Sequence, residues 1–234
     1  MNSLYEYIFK RKSVRKYTLT PLSKDMLSLI KAKIEFLTPL YPNIKICCEI
    51  VDHIKNPMML KAPHYLLFSS ENIDGSFENA GFMLQQMSLY FTSIGIGSCW
   101  LGMGKPAKKQ KTELHFIISM SFGYPEEALF RDASGFNRKS LNDISEGNDP
   151  RLEAARLAPS GMNSQNWFFL CSNGIIHVFR KKVNPIKALI FDKMNSIDTG
   201  IALCNLYMAS ETFSFEKSSS FPERKGLIYM GTVK

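Results

Sequence analysis

Three stretches of the chain hold residues able to do chemistry. Near the start, Arg11-Lys12-Ser13-Val14-Arg15-Lys16-Tyr17 gathers cations around one hydroxyl. A phosphate monoester carries close to two negative charges and several acceptor oxygens, and a guanidinium can grip it with two parallel hydrogen bonds. Arg11, Ser13 and Arg15 suit such a group, with Lys12 in the same run; a solvated basic face is the other reading. In the second stretch, Gly95-Ile96-Gly97-Ser98-Cys99-Trp100-Leu101-Gly102, glycines bracket a cysteine and a tryptophan. Trp100 suits core packing, and no base lies near Cys99 in sequence to make it a nucleophile. In the third, residues 153–167 read EAARLAPSGMNSQNW. Ala154 and Ala155 favour a helix that Pro159 ends, because proline biases Ala158 away from helical geometry. The polar turn that follows, Ser160, Gly161, Asn163, Ser164, Gln165 and Asn166, supplies hydroxyls, amides and, at Gly161, backbone open to close approach. That set suits a flat polar heterocycle better than a metal. An ordinary helix–turn–strand corner with Trp167 in the core fits the same residues.

Regular elements must position these stretches. Leu4, Tyr5 and Ile8 predict a short amphipathic helix over 3–10. Thr20-Pro21-Leu22-Ser23 predicts a turn and N-cap before a helix over 24–36, with Met26, Leu27, Ile30 and Ile34 at helical spacing. Strands are expected at 44–51, 62–68, 114–122, 167–171, 175–180 and 225–233, and loops at 56–61 and 128–148. Two helices, over 79–94 and 196–212, are apolar nearly all round, which places them centrally. Residues 79–95 (NAGFMLQQMSLYFTSIG) and 198–214 (DTGIALCNLYMASETFS) each carry a glycine near the helix start and near-continuous apolar cover, and each is followed by a closing strand. One diverged duplication, or chance between two common helix–strand units, accounts for that likeness.

The chain has 234 residues and a formal net charge of +8, enough length for one large domain or two small ones. Lys and Arg are scattered; the densest run, 105–111, reads as a solvated loop. The five cysteines show no paired metal or redox spacing, and Cys47 and Cys48 point to opposite faces of a strand. Cys99, Cys171 and Cys204 sit in apolar stretches. The first twelve residues lack an apolar leader core, and no apolar run reaches membrane-spanning length. A cytoplasmic protein with reduced thiols is expected. His53, His64, His115 and His177 share no spacing and read as structural.

The three motifs together resemble the flavin-dependent nitroreductase family over essentially the whole chain, and the chain is most similar to that family's single-chain branch. Family members commonly carry the arginine–serine motif and the Ala-Pro-Ser motif in one half of a subunit, so that a homodimer builds two flavin sites. Here the first motif opens the chain and the Ala-Pro-Ser motif opens its latter part. Phe36-Leu37-Thr38-Pro39-Leu40 and Gly147-Asn148-Asp149-Pro150 stand at the complementary places, and Asn166 replaces a usual proline. The resemblance implies an α+β nitroreductase-like fold of two homologous halves, with antiparallel-rich sheets flanked by helices and the long apolar helices central. The first half is residues 1–146 and the second, shortened half residues 147–234, in one compact unit. It implies one FMN site instead of two. Arg11, Lys12, Ser13 and Arg15, joined by Arg138 and Lys139, would hold the phosphate. Cys99, Trp100, Leu101 and Gly102 would pass the flavin N5 with their backbone, and Pro159, Ser160, Gly161, Asn163 and Gln165 would flank the ring and ribityl chain. No side chain is expected to be catalytic, and no metal is expected.

The implied activity is FMN-dependent oxidation of NADH or NADPH, in ping-pong fashion, with reduction of a nitroaromatic, a quinone or a similar conjugated acceptor. A flavin carrier or sensor without turnover is the alternative. Nucleic-acid binding would need a clustered basic–aromatic surface that the sequence lacks. A pseudo-dimer could act as a monomer or self-associate.

Overall fold

The computed structural model describes residues 3–57 and 59–234; Met1, Asn2 and, within the 56–61 loop, Met58 lie outside them. The chain opens with a 3-10 turn, Tyr5–Phe9, where an amphipathic helix was expected. Helix α1, Lys24–Glu35, is capped by Ser23, whose hydroxyl accepts the Met26 N–H at 3.2 Å. Strands β1 (Ile46–Val51), β2 (Ile54–Lys55) and β3 (His64–Ser70) follow. β3 starts after Pro63, which has no N–H to give a ladder. Helix α2 spans Ser76–Ser93. The glycine-rich stretch after it is strand β4, Gly97–Leu101, followed by β5 (Lys105–Pro106) and β6 (His115–Gly123).

The expected loop over 128–148 contains a single-turn helix α3, Leu141–Ile144, held by a Ser140–Asp143 capping box, and strand β7, Ser145–Glu146. Helix α4 (Leu152–Arg156) leads through the corner to the hairpin β8 (Trp167–Ser172) and β9 (Ile175–Lys181). Helix α5 runs Pro185–Ala209, starting well before the expected residue 196. Proline is tolerated in a first helical turn, where its missing N–H has no partner to lose. Strands β10 (Phe215–Glu216) and β11 (Leu227–Val233) close the chain.

Two main sheets form, with orders β1-β3-β6-β4 and β10-β11-β9-β8-β7. Their connectivity is shared. A hairpin (β1–β3 or β8–β9) leads into a long helix (α2 or α5), then a strand (β4 or β10), then a last strand (β6 or β11) that inserts between that strand and the hairpin. All pairings between these named strands are antiparallel except β7 with β8, which is parallel. β7, residues 145 and 146, thereby adds to the second sheet.

Helix α2 lies against β3, β4 and β6, α5 against β8 and β9, and the two helices pack on each other. Their crossing is reciprocal. A Cβ on Gly81 would stand 2.0 Å from the Ile197 carbonyl oxygen, and a Cβ on Gly200 would stand 2.0 Å from that of Glu78. Ile197 precedes Gly200 by three residues, as Glu78 precedes Gly81. Only glycine lets both backbones approach so closely. Around this crossing one continuous apolar core gathers Phe82, Phe91, Phe122, Trp167, Phe169 and Leu203.

Among the described residues, no helix is long and apolar enough to cross a membrane, and no group of His, Cys, Asp or Glu is placed to hold a metal ion. The five cysteines are unpaired. His64 is buried, accepting the Leu22 N–H, and His177 bonds the Thr232 hydroxyl, while His53 and His115 are exposed.

Candidate functional site

The amino-terminal basic run is laid along the free edge of β4. Ser13 bridges Ser98 in parallel, and the Val14 N–H donates to the Ser98 carbonyl at 3.0 Å. The other side of the run meets the 124–131 segment: Arg11 bridges Phe130, the Arg131 N–H donates to the Lys10 carbonyl at 2.8 Å, and Tyr17 bridges Pro125. Glu127 receives the Arg15 N–H at 2.7 Å and the Lys12 ammonium at 3.4 Å. The Lys12 charge is thus met by a carboxylate.

The arginines have no such partner. Arg11 is 1% exposed. One of its nitrogens reaches the Ser13 hydroxyl at 3.3 Å, and Nε and Nη1 are buried without a hydrogen-bond acceptor. Burial pushes its pKa down to about 9, and Arg131, Arg138 and Arg15 push the same way. Arg138 is lowered to about 10 by burial, then by Arg131 and Arg156, and Arg131 is lowered by burial and by Arg15. A guanidinium does not give up its proton in a protein. These shifts therefore measure crowded, desolvated positive charge. Among the described residues, none of Arg11, Arg15, Arg131 and Arg138 makes an ion pair. A dianion with several acceptors is the group whose chemistry relieves that arrangement.

Arg138 and Lys139 join this cluster to the proline corner. Arg138 donates to the Ala158 carbonyl at 3.1 Å and to Asn163 Oδ1 at 2.7 Å. The Lys139 N–H donates to Gln165 Oε1 at 2.7 Å, and its ammonium to the Ser164 carbonyl at 2.7 Å. The amides of Asn163 and Gln165 are thus engaged in building the corner; Asn163 Nδ2 also donates to the Asn137 carbonyl and Gln165 Nε2 to the Asn163 carbonyl. The Ser160 hydroxyl accepts the Gln165 N–H at 3.0 Å and keeps its own proton to give.

The corner is also strained. Met162, Asn163 and Gln165 have φ of 53°, 55° and 46°, left-handed values that cost non-glycine residues about 1 kcal/mol or more each. Pro159 is buried, and Met162 is 84% exposed at the tip. A Cβ on Gly161 would lie 2.3 Å from the Met194 sulfur, so the glycine seats the turn on α5.

Strand β4 divides its side chains by face. Leu101 packs with Val14, Tyr17 and Tyr65 on the side of the basic run, while Trp100 packs on the main core. Cys99 sits under the arginines and within hydrogen-bonding reach of Ser13, not in apolar surroundings as its sequence context suggested; burial nevertheless raises its pKa. Gly102 is exposed, with nothing within 4 Å of a would-be Cβ, so its backbone is open to a ligand. The structure thus brings Arg11, Ser13, Arg15, Cys99, Arg138, Lys139 and the Pro159–Gln165 corner into one region. Lys12 turns to Glu127 and the Trp100 ring to the core.

Two residues escaped the sequence reading. Arg131 belongs to the cluster, but an arginine in an irregular loop carries no signal of its own. Asp198 of α5 is buried and accepts the Gly161 N–H with both carboxylate oxygens at 3.0 Å. A carboxylate next to the long apolar run that ends α5 was a usable signal. Two clefts, of about 410 Å³ beside Tyr7, Lys33 and Tyr207 and about 470 Å³ beside Cys47, Cys48 and Lys111, open elsewhere on the surface.

Two sheets of one connectivity around a pair of crossed helices, with a crowded cationic seat at a sheet edge, make an α+β protein of the nitroreductase type. The chain belongs to the family described as "Putative TM nitroreductase", which matches residues 3–210. Among solved structures it is similar to a putative nitroreductase of Thermotoga maritima, with a TM-score of 0.68 and 21% identity, covering 100% of this chain and 92% of that one. It also matches a putative NADH dehydrogenase/NAD(P)H nitroreductase of Parabacteroides distasonis (TM-score 0.48, 17% identity, 64% of this chain and 100% of that one). An FMN-dependent nitroreductase of Clostridium difficile matches at TM-score 0.46 and 17% identity, over 61% of this chain and 98% of that one. No curated protein matches the chain in sequence. The family membership makes the chain a nitroreductase-like oxidoreductase.

Proposed function

We propose that this chain binds one FMN and acts as an NAD(P)H oxidoreductase on nitroaromatics, quinones or similar conjugated acceptors. The observation that carries this reading is Arg11, buried, repelled by its neighbours and holding two unpartnered donor nitrogens beside the proline corner. Arg11, Ser13, Arg15, Arg131 and Arg138 would hold the phosphate. The Ser160 hydroxyl and the main chain of Gly161 would flank the ring system, and the open backbone at Leu101 and Gly102 would face its reactive edge. When bound, FMN supplies hydride chemistry between a nicotinamide and the acceptor. The protein's part is charge, orientation and a strained corner that a ligand can brace.

We further infer that the chain is a fused pair of homologous halves, 1–146 and 147–234. The shared sheet connectivity and the reciprocal Gly81–Gly200 crossing support it. So does a third correspondence. Asn79, two residues before Gly81, accepts the Leu40 and Tyr41 N–H groups at 2.8 and 3.2 Å, after Pro39. Asp198, two before Gly200, accepts the Gly161 N–H after Pro159. The first-half corner lacks the means to bind flavin: Tyr41 replaces the glycine, with its ring on Phe215 at 5.8 Å. At the second-half counterpart of the basic run, Asp149 neutralises Arg151 through bonds of 2.9 and 2.8 Å. One working site per chain follows.

The test is the absorbance of the purified protein, then anaerobic addition of NADH and NADPH. Bound flavin that bleaches and is reoxidised by a quinone is the expected result. A colourless protein that takes up no added FMN would overturn the reading. Flavin that neither nucleotide bleaches would make the chain a carrier or sensor.

A further inference from the structure

Asp198 is a buried carboxylate with no cation to answer it. It is 3% exposed on α5, and both its oxygens take the Gly161 N–H at 3.0 Å, with the Ser164 hydroxyl as the other polar group favouring its charged form. The cations of the surrounding elements are engaged elsewhere. From the 137–139 loop, Arg138 serves Ala158 and Asn163, and Lys139 serves the carbonyls of Ser164 and Gln165. On α4, Arg156 pairs with Glu153. On α5, Asp192 pairs with Arg180 and Lys193 lies over the Phe77 ring. On α2, Glu78 is buried and meets α5 with its main chain at Gly200.

A carboxylate in such a place is costly, and the fold does not require one. At the corresponding position Asn79 holds the first-half corner with a neutral amide. What distinguishes the Asp198 corner is its three left-handed residues and its place beside the arginine cluster. We propose that Asp198 is a positioning residue for the flavin corner: ionised, it clamps the Gly161 N–H and fixes the turn that receives the flavin, and protonated, it slackens that turn. This rests on the FMN reading above. The structure supplies the switching range as well, because burial raises the carboxyl pKa to about 7.

The experiment follows flavin fluorescence during titration of wild type, Asp198→Asn and Asp198→Ala at pH 6 and pH 8. Riboflavin is used beside FMN, because it lacks the phosphate whose own ionisation near pH 6 adds to the FMN profile. Wild type should bind riboflavin about 5-fold more tightly at pH 8 than at pH 6, the difference between a charge-assisted and a neutral hydrogen bond. Asp198→Asn should bind with no such pH dependence, and Asp198→Ala should bind more weakly at both. In parallel, the Gly161 amide resonance of flavin-free protein should titrate with a midpoint near 7 in wild type and stay fixed in Asp198→Asn. Equal pH dependence in wild type and Asp198→Asn, or a Gly161 resonance that does not move, would overturn the proposal. If wild type binds neither flavin, the cofactor reading falls, and the Gly161 resonance alone decides whether Asp198 governs the turn.

Discussion

Arg138, from the loop ahead of α3, disfavours positive charge on Arg11 of the amino-terminal run, and among the described residues neither arginine makes an ion pair. A protein that folds around uncompensated charge stores an unfavourable interaction that a bound anion can release. Function and stability should therefore part company here. Arg11→Met fills similar volume without charge or unmet donors. It should stabilise the flavin-free protein by about 1 kcal/mol, a rise of about 2–4 °C in melting temperature for a chain of this size. It should also weaken FMN binding at least about 30-fold, as expected for the loss of a charged hydrogen-bonding group. Scanning calorimetry and flavin titration check the two halves. A lower melting temperature would mean that Arg11 is structural.

Arg138 should behave oppositely. Its guanidinium spans the Ala158 carbonyl and Asn163 Oδ1, so it holds the strained corner as well as contributing charge. Arg138→Ala should lose about 1–2 kcal/mol of stability in urea unfolding, together with flavin affinity. The contrast in sign between the two arginines is the informative result. If both variants are stabilised, the corner does not depend on Arg138.

Periodicity located the long helices and the hairpins because burial of one continuous core dictates those patterns. The 3-10 turn at Tyr5–Phe9 and the early start of α5 were less legible, since both turn on local geometry that Pro185 or a short amphipathic run leaves open. At the site, charge and glycine-bracketed stretches pointed to Arg11, Ser13, Arg15 and the proline corner. The amides of Asn163 and Gln165 proved to be committed to the corner itself, which no local pattern shows, because their partners lie in the 137–139 loop. Arg131 and Glu127 were invisible for the same reason: their roles come from the pairing of residues 124–131 with the amino-terminal run.

Asp198 also makes a stability prediction independent of any ligand. Its carboxyl is held near 7, above the unfolded range near 3.8, so between about pH 4 and 7 the folded chain keeps a proton that the unfolded chain has released. Its contribution to stability is greatest below about pH 4, falls as pH rises through that window, and stays low above it. Asp198→Asn removes the decline. The variant should match wild type near pH 4 and exceed it by about 4 kcal/mol at pH 8. Urea unfolding at the two pH values measures this, and a constant difference between the proteins would show that Asp198 does not titrate in the folded chain.

On the proposed reading, the inequality of the two corners predicts the stoichiometry. Tyr41 stands where Gly161 stands in the other corner, its ring 5.8 Å from Phe215, and at the second-half counterpart of the basic run Arg151 is paired with Asp149. Native mass spectrometry should therefore count one FMN per 234-residue chain, whatever the oligomeric state. Under the proposed single-site reading, nicotinamide and acceptor would take turns at the same place. Initial rates against NADH or NADPH at several fixed quinone concentrations should give parallel double-reciprocal lines. Intersecting lines would mean that both substrates are held at once, and two flavins per chain would mean that the Tyr41 corner binds despite its filled position.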